Sequence, residues 1–107
     1  MRGGNHSYSH SCLRKSVCDL IHVQGGECLP ILGGIGTRKG SPDVLACIRG
    51  RFLAVECKTG SAKLSDDQEK ERLRWKRAGA LYVECRRPED LQDALEGEGL
   101  ARVGVLL

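Results

Sequence analysis

At 107 residues the chain has room for one modest hydrophobic core and not for two. Its 40% hydrophobic and 29% charged residues describe a globular domain, and its four aromatics, Tyr8, Phe52, Trp75 and Tyr82, argue against a surface that stacks successive bases. The net charge of +3 is uneven: residues 1–58 hold eight Lys or Arg against four acids and residues 59–107 nine against ten, so the first half is expected to face a polyanion.

Residues 1–10, MRGGNHSYSH, are polar and Gly/Ser-rich, and a flexible lead-in is expected there. From Ser11 to about Gln24 the apolar positions Leu13, Val17, Leu20 and Ile21 fall at helical spacing, and Gly25-Gly26 supplies the stop. ECLPIL (27–32) reads as an edge-type strand, because Pro30 has no N–H to give a second neighbour. GGIGTRKGSP (33–42) is a Gly-rich basic loop. DVLACI (43–48) and RFLAVECK (51–58) form a hairpin around Arg49-Gly50-Arg51.

Ser65 followed by Gln68 is a capping box, with Asp66 and Asp67 in the positive first turn of the next helix. Arg74, Lys76 and Arg77 load its last turn and Gly79 closes it. ALYVEC (80–85) is a strand, Pro88 opens a helix to about Glu96, and LARVGVLL (100–107) reads as a last strand. The order is α-β-β-β-α-β-α-β. It predicts a single α/β domain over 1–107, a small mixed β-sheet flanked by helices, with no repeat and no long linker.

Of the six cysteines, Cys47, Cys57 and Cys85 sit inside apolar strand patterns, where a thiol behaves as a small hydrophobe. No charged start leads into an apolar run and no apolar stretch approaches membrane-spanning length, so a reduced, intracellular, cytoplasmic protein without a membrane partner is expected.

The hairpin carries charge where a core is expected. Side chains alternate along a strand, so Phe52, Ala54, Glu56 and Lys58 share one face while Leu53, Val55 and Cys57 share the other. Asp43 begins the partner strand and lies opposite the end of this one if the turn centres on Gly50. Two carboxylates held close together repel, and a divalent cation relieves the conflict. Hard oxygen donors favour Mg²⁺ or Mn²⁺. Such an ion can offset charge on a phosphodiester and acidify a water, while the neighbouring Lys58 ammonium orients that water or meets the developing charge. The backbone carbonyl of Cys57, between the two, is a further candidate ligand. Alone, Glu-x-Lys is a common solvent-facing pair. Its context sets it apart: Pro-Asp before one strand, Glu-x-Lys ending its partner and a capped helix bearing Gln68 directly after.

With GSPDVLACIRGRFLAVECKTG, LSDDQEKERLRWKRAGALYVEC and RPEDLQDAL, the chain resembles the PD-(D/E)xK nucleases, and within them the VRR-NUC (virus-type replication-repair nuclease) domains, over roughly residues 40 to 95. The resemblance implies a restriction-endonuclease-like core, Asp43 and Glu56 as metal ligands, Lys58 as the catalytic lysine and Gln68 as an accessory site residue. It also implies Mg²⁺- or Mn²⁺-dependent cleavage of DNA by a homodimer acting on branched structures such as four-way junctions, in phage or host repair, at the nucleoid or in a phage-infected cell. One position departs from the family pattern. The acid usual near the start of the first helix falls at about His10 or Ser11; either His10 substitutes as an extra site residue, or the correspondence shifts there, or the site is impaired.

GGIGTRKG lacks the following helix and the Lys-Ser/Thr of a phosphate loop; it is either a flexible connection or, with Arg38 and Lys39, a clamp on DNA phosphate. His6, His10, Cys12, Cys18, His22 and Cys28 contain no Cys-x₂-Cys pair, so a zinc-stabilised interaction domain stands behind the nuclease reading, as does a catalytically silent DNA-binding or scaffolding module of the same fold. Arg49 and Arg51 are expected at a solvated turn far from the site, and Trp75 is expected to pack on the sheet, with a DNA wedge as its sharper reading.

Overall fold

A computed structural model describes residues 9–34 and 36–102. In chain order it contains α1 (His10–Val23), β1 (Glu27–Pro30), β2 (Val44–Ile48), β3 (Arg51–Cys57), α2 (Asp66–Arg77), β4 (Leu81–Cys85) and α3 (Pro88–Gly97). The strands lie in the order β1-β2-β3-β4; the first three are antiparallel, and β4 runs parallel to β3 after the α2 crossover. This is the small mixed sheet flanked by helices that the pattern predicts.

Alternation divides the sheet into two unlike faces. Val44, Ala46, Ile48, Leu53, Val55 and Cys57 point to one side, where α1 supplies Leu13, Val17 and Ile21 and α3 supplies Leu91 and Leu95. Each fully buried Leu or Ile there contributes roughly 1.5–3 kcal/mol over leaving it exposed. The opposite face carries Phe52, Ala54 and Glu56 from β3 and Tyr82 and Glu84 from β4, and α2 lies over it. No apolar stripe docks α2, whose only buried residue is Glu71. Gln68, Glu71 and Trp75, spaced i, i+3, i+7, face the sheet instead and use polar contacts and one aromatic stack, Trp75 on Phe52 at 5.4 Å between centroids. The packing role of Trp75 is therefore the one observed.

Four details differ from expectation. α1 begins at His10, not Ser11, because Ser9 caps it by accepting the Cys12 N–H at 3.2 Å; only residues 1–8 of the expected lead-in lie outside the described residues. β1 ends at Pro30, not Leu32. The hairpin closes on two residues, since Ile48 pairs with Arg51, and Arg49 (φ 46°) with Gly50 (φ 81°) makes the left-handed turn that suits strand twist. Finally, 100–102 are not a strand, and the rest of the expected last strand lies outside the described residues.

Candidate active site

Asp43 precedes β2, and its backbone is tied on both sides: its N–H donates to Val55 O at 2.9 Å and its carbonyl accepts the Ile31 N–H at 2.8 Å. Val44 is the register partner of Val55, so two residues meet one, the count of a β-bulge, a device that re-aims a side chain at the end of a ladder. The aim is visible: Asp43 Oδ2 accepts the Cys57 N–H at 2.8 Å. The N–H and carbonyl of a strand residue leave the same edge, and Lys58 N–H is spent on Cys85 O in β4, so the Cys57 carbonyl faces the Asp43 side with its N–H.

Glu56 is the anomaly of the sheet. It is only 2% exposed; Gln68 Nε2 donates to its Oε2 at 3.1 Å, and its buried Oε1 has no hydrogen-bond partner. Burial pushes the carboxyl up to about 9, helped by the Asp43 carboxylate beside it and by Glu84, against which Lys58 acts. Gln68 reaches Glu56 while completing its own helix cap. Its Oε1 accepts the Ser65 N–H at 2.8 Å, and that leaves the amide end for the acid.

The sequence-predicted residues thus converge for the most part. Asp43, Glu56, Lys58 and Gln68 lie at one end of β2–β3, and His10 joins them: its Nε2 is 3.1 Å from Asp43 Oδ1, with the imidazole 46% exposed. Lys58 pairs with no acid among the described residues. Among those residues no group of three or more His, Cys, Asp or Glu is set to cage a metal alone, so a hard cation here would need water or phosphate oxygens to complete its coordination. Cys28 Sγ comes within 3.7 Å of His22 Nε2, but among the described residues the wider cysteine and histidine set does not gather; His6 lies outside them, and all six cysteines are unpaired thiols.

The Gly-rich loop is pinned. Arg38 forms a fork on Glu71, Nε to Oε2 at 2.8 Å and Nη2 to Oε1 at 2.9 Å, and Trp75 Nε1 donates to the same acid at 3.1 Å. Glu71 is 3% exposed, and the Arg38 hydrogen bonds hold its carboxyl below the usual carboxylate range. Gly40 (φ 82°) passes so close to α2 that a Cβ would lie 2.5 Å from the Asp67 backbone. These contacts tie the 38–40 end of the loop to α2. Lys39 stays 90% exposed, 3.7 Å from Asp67. The loop and Asp43 line a cleft of about 360 Å³ that includes Thr37, Arg38, Lys39 and Ser41.

Sequence reasoning missed Glu71, Glu84 and Tyr82. Glu71 completes the i, i+3, i+7 stripe begun by Gln68. Glu84 occupies on β4 the register position that Glu56 occupies on β3, and the buried Tyr82 hydroxyl lacks a partner on the same face. Arg49 is exposed at the far turn, as expected, and its Nη1 donates to Gln24 O at 2.7 Å, while Arg51 pairs with Glu98 at 2.9 Å.

No family model matches the chain, and no curated protein matches it. A solved structure described as a VRR_NUC domain aligns with TM-score 0.69, covering 84% of this chain and 97% of that one at 24% identity. The fold is that of a VRR_NUC domain. Glu56 lies within β3, and backbone hydrogen bonds to neighbouring strands hold Asp43, just before β2, and Lys58, just after β3. No helix of the described residues is long and apolar enough to cross a membrane.

Proposed function

We propose that the chain is a divalent-metal-dependent endodeoxyribonuclease, acting as a homodimer on branched DNA such as a four-way junction. The observation that carries this reading is Glu56: a carboxyl 2% exposed, one oxygen held by Gln68 and the other unpartnered, beside Asp43, which lines the cleft. An acid buried in this way is costly unless a proton or a cation meets it. Its hard oxygen donors fit Mg²⁺ or Mn²⁺, with Asp43, Glu56 and the Cys57 carbonyl as the holding groups. Bound there, the ion would offset charge on a phosphodiester oxygen and acidify water.

The chain's own groups take the remaining work. Lys58 donates to the attacking water or to the phosphoryl oxygens as negative charge gathers on them. Gln68 fixes Glu56 Oε2 and leaves Oε1 as the open donor, and His10 steadies Asp43 Oδ1 in the place where the resembled family has an acid. Lys39, unlike Arg38, is free to meet a DNA phosphate at the rim of the cleft. Water oxygen bonds to phosphorus as one of its protons passes to solvent, the ester P–O bond breaks, and the leaving oxygen takes a proton from solvent in its place.

One observation favours a second reading, a catalytically silent DNA-binding module: both Asp43 oxygens already have partners, in His10 and the Cys57 N–H. Labelled four-way junction and linear duplex, incubated with Mg²⁺, Mn²⁺ or EDTA, separate the two. Metal-dependent cutting with junction preference supports the nuclease; binding without cutting under either metal supports the silent module.

A further inference from the structure

The first helix brings a second group to the site besides His10. Arg14 lies one helical turn after His10, on the same face, beside the buried Leu13 and Val17 that seat α1 on the sheet. It is half-buried, and it forms no hydrogen bond or ion pair with another described residue, whereas its neighbour Lys15 pairs with Asp19 at 3.0 Å. Its charge is felt at Cys57, the residue between Glu56 and Lys58. Asp43 is engaged by other groups, His10 at 3.1 Å and the Cys57 N–H at 2.8 Å.

An arginine fork with no anionic partner among the described residues is available to an anion that a ligand supplies. Helical side chains lean toward the N-terminus, so Arg14 leans toward His10, which meets Asp43 at 3.1 Å, while Lys39 lies on the Gly-rich loop that lines the cleft with Asp43. A planar fork suits a phosphate held by two parallel hydrogen bonds, and an ammonium suits a looser contact.

Resting on the nuclease reading, we infer that Arg14 is a substrate-binding residue that grips a DNA phosphate beside the cleaved one on the α1 side, so that the cut strand runs between α1 and the Gly-rich loop. The residue acts in binding and is no proton donor or metal ligand.

The test is the salt dependence of binding, measured by anisotropy with labelled duplex and four-way junction in Ca²⁺, for wild type, Arg14→Gln, Arg14→Lys and Arg51→Gln. Loss of one phosphate contact lowers the slope of log K against log salt by about 0.9. Arg14→Gln is expected to show that loss with Kd raised about tenfold or more, as for a lost charged hydrogen bond. Arg14→Lys is expected to retain the slope and weaken binding less, and Arg51→Gln, at the far turn, to match wild type. A folded Arg14→Gln with wild-type slope and Kd overturns the assignment. If Arg14→Gln melts early, Arg14→Lys decides in its place: unchanged affinity contradicts the fork. Wild type that neither binds nor cuts DNA removes the nuclease reading itself, whereas wild type that binds while Arg14→Gln is unchanged removes only Arg14.

Discussion

Gln68 gives its carbonyl to the Ser65 N–H at 2.8 Å and its amide to Glu56 Oε2 at 3.1 Å, so one side chain both starts α2 and holds the buried acid. The two duties separate in Gln68→Glu, which can still cap the helix but replaces the donor with a carboxylate facing Glu56. Thermal stability is expected to change by less than about 1 kcal/mol from the cap. Cleavage is expected to fall roughly 10- to 100-fold, as the loss of a hydrogen bond to a charged group implies. Gln68→Ala should lose both, and comparison of melting curves with cleavage rates checks the pair.

The buried carboxyl makes stability and metal affinity depend on pH in opposite ways. Glu56 sits near 9 in the folded protein against an ordinary value of 4.5, so between these limits the native state holds a proton the unfolded chain lacks. Metal-free stability is therefore fully present below about pH 4.5 as far as Glu56 is concerned, and is lost as pH rises through about 9. A bound cation displaces that proton, so Mn²⁺ affinity is expected to rise up to about tenfold per pH unit over the same range, with proton release measurable by calorimetry in buffers of different ionisation heat. Glu56→Gln should flatten both trends.

Arg38 and Lys39, adjacent in the loop, should behave differently. Arg38→Ala strips the fork from a 3% exposed acid and leaves Glu71 to Trp75 alone, which is expected to cost about 1–3 kcal/mol. Lys39→Ala should leave the melting temperature where it is and weaken DNA binding, reducing the salt slope by about one phosphate. Equal effects of the two on DNA binding, with no loss of stability in Arg38→Ala, would contradict the structural role given to Arg38.

His10 offers a gain rather than a loss. His10→Glu places a third carboxylate against Asp43 at the start of α1, where negative charge also suits the helix N-terminus. Ligand charge count sets the affinity of oxygen sites for hard cations, so Mn²⁺ binding should tighten by about tenfold. An unchanged or weakened affinity would show that His10 lies outside the metal's reach.

Much of this site is legible in the chain because it depends on short-range rules. A period of two places Glu56 and Lys58 together, and a Ser-x-x-Gln box places Gln68 at the head of α2. The remainder depends on contacts that no local pattern encodes. The two-residue turn at Arg49-Gly50 sets a register one residue tighter than a turn centred on Gly50, and the bulge at Asp43 then re-aims its side chain at Cys57. The pairing of Arg38 with Glu71 spans 33 positions, and α2 shows a polar stripe where an amphipathic helix would show an apolar one. His10 reads as lead-in because its helical neighbours begin at Ser11; the Ser9 cap that includes it is a signal of one residue.

The most direct test of the central claim is cleavage of a labelled four-way junction in Mn²⁺ by wild type and Lys58→Ala at equal concentration. The lysine's backbone N–H bonds to Cys85 whatever the side chain, so the fold should survive the change. The account predicts cutting by wild type that EDTA abolishes, with Lys58→Ala slower by roughly 100-fold or more. Wild type and Lys58→Ala cutting at the same rate, or neither cutting at all, would contradict it.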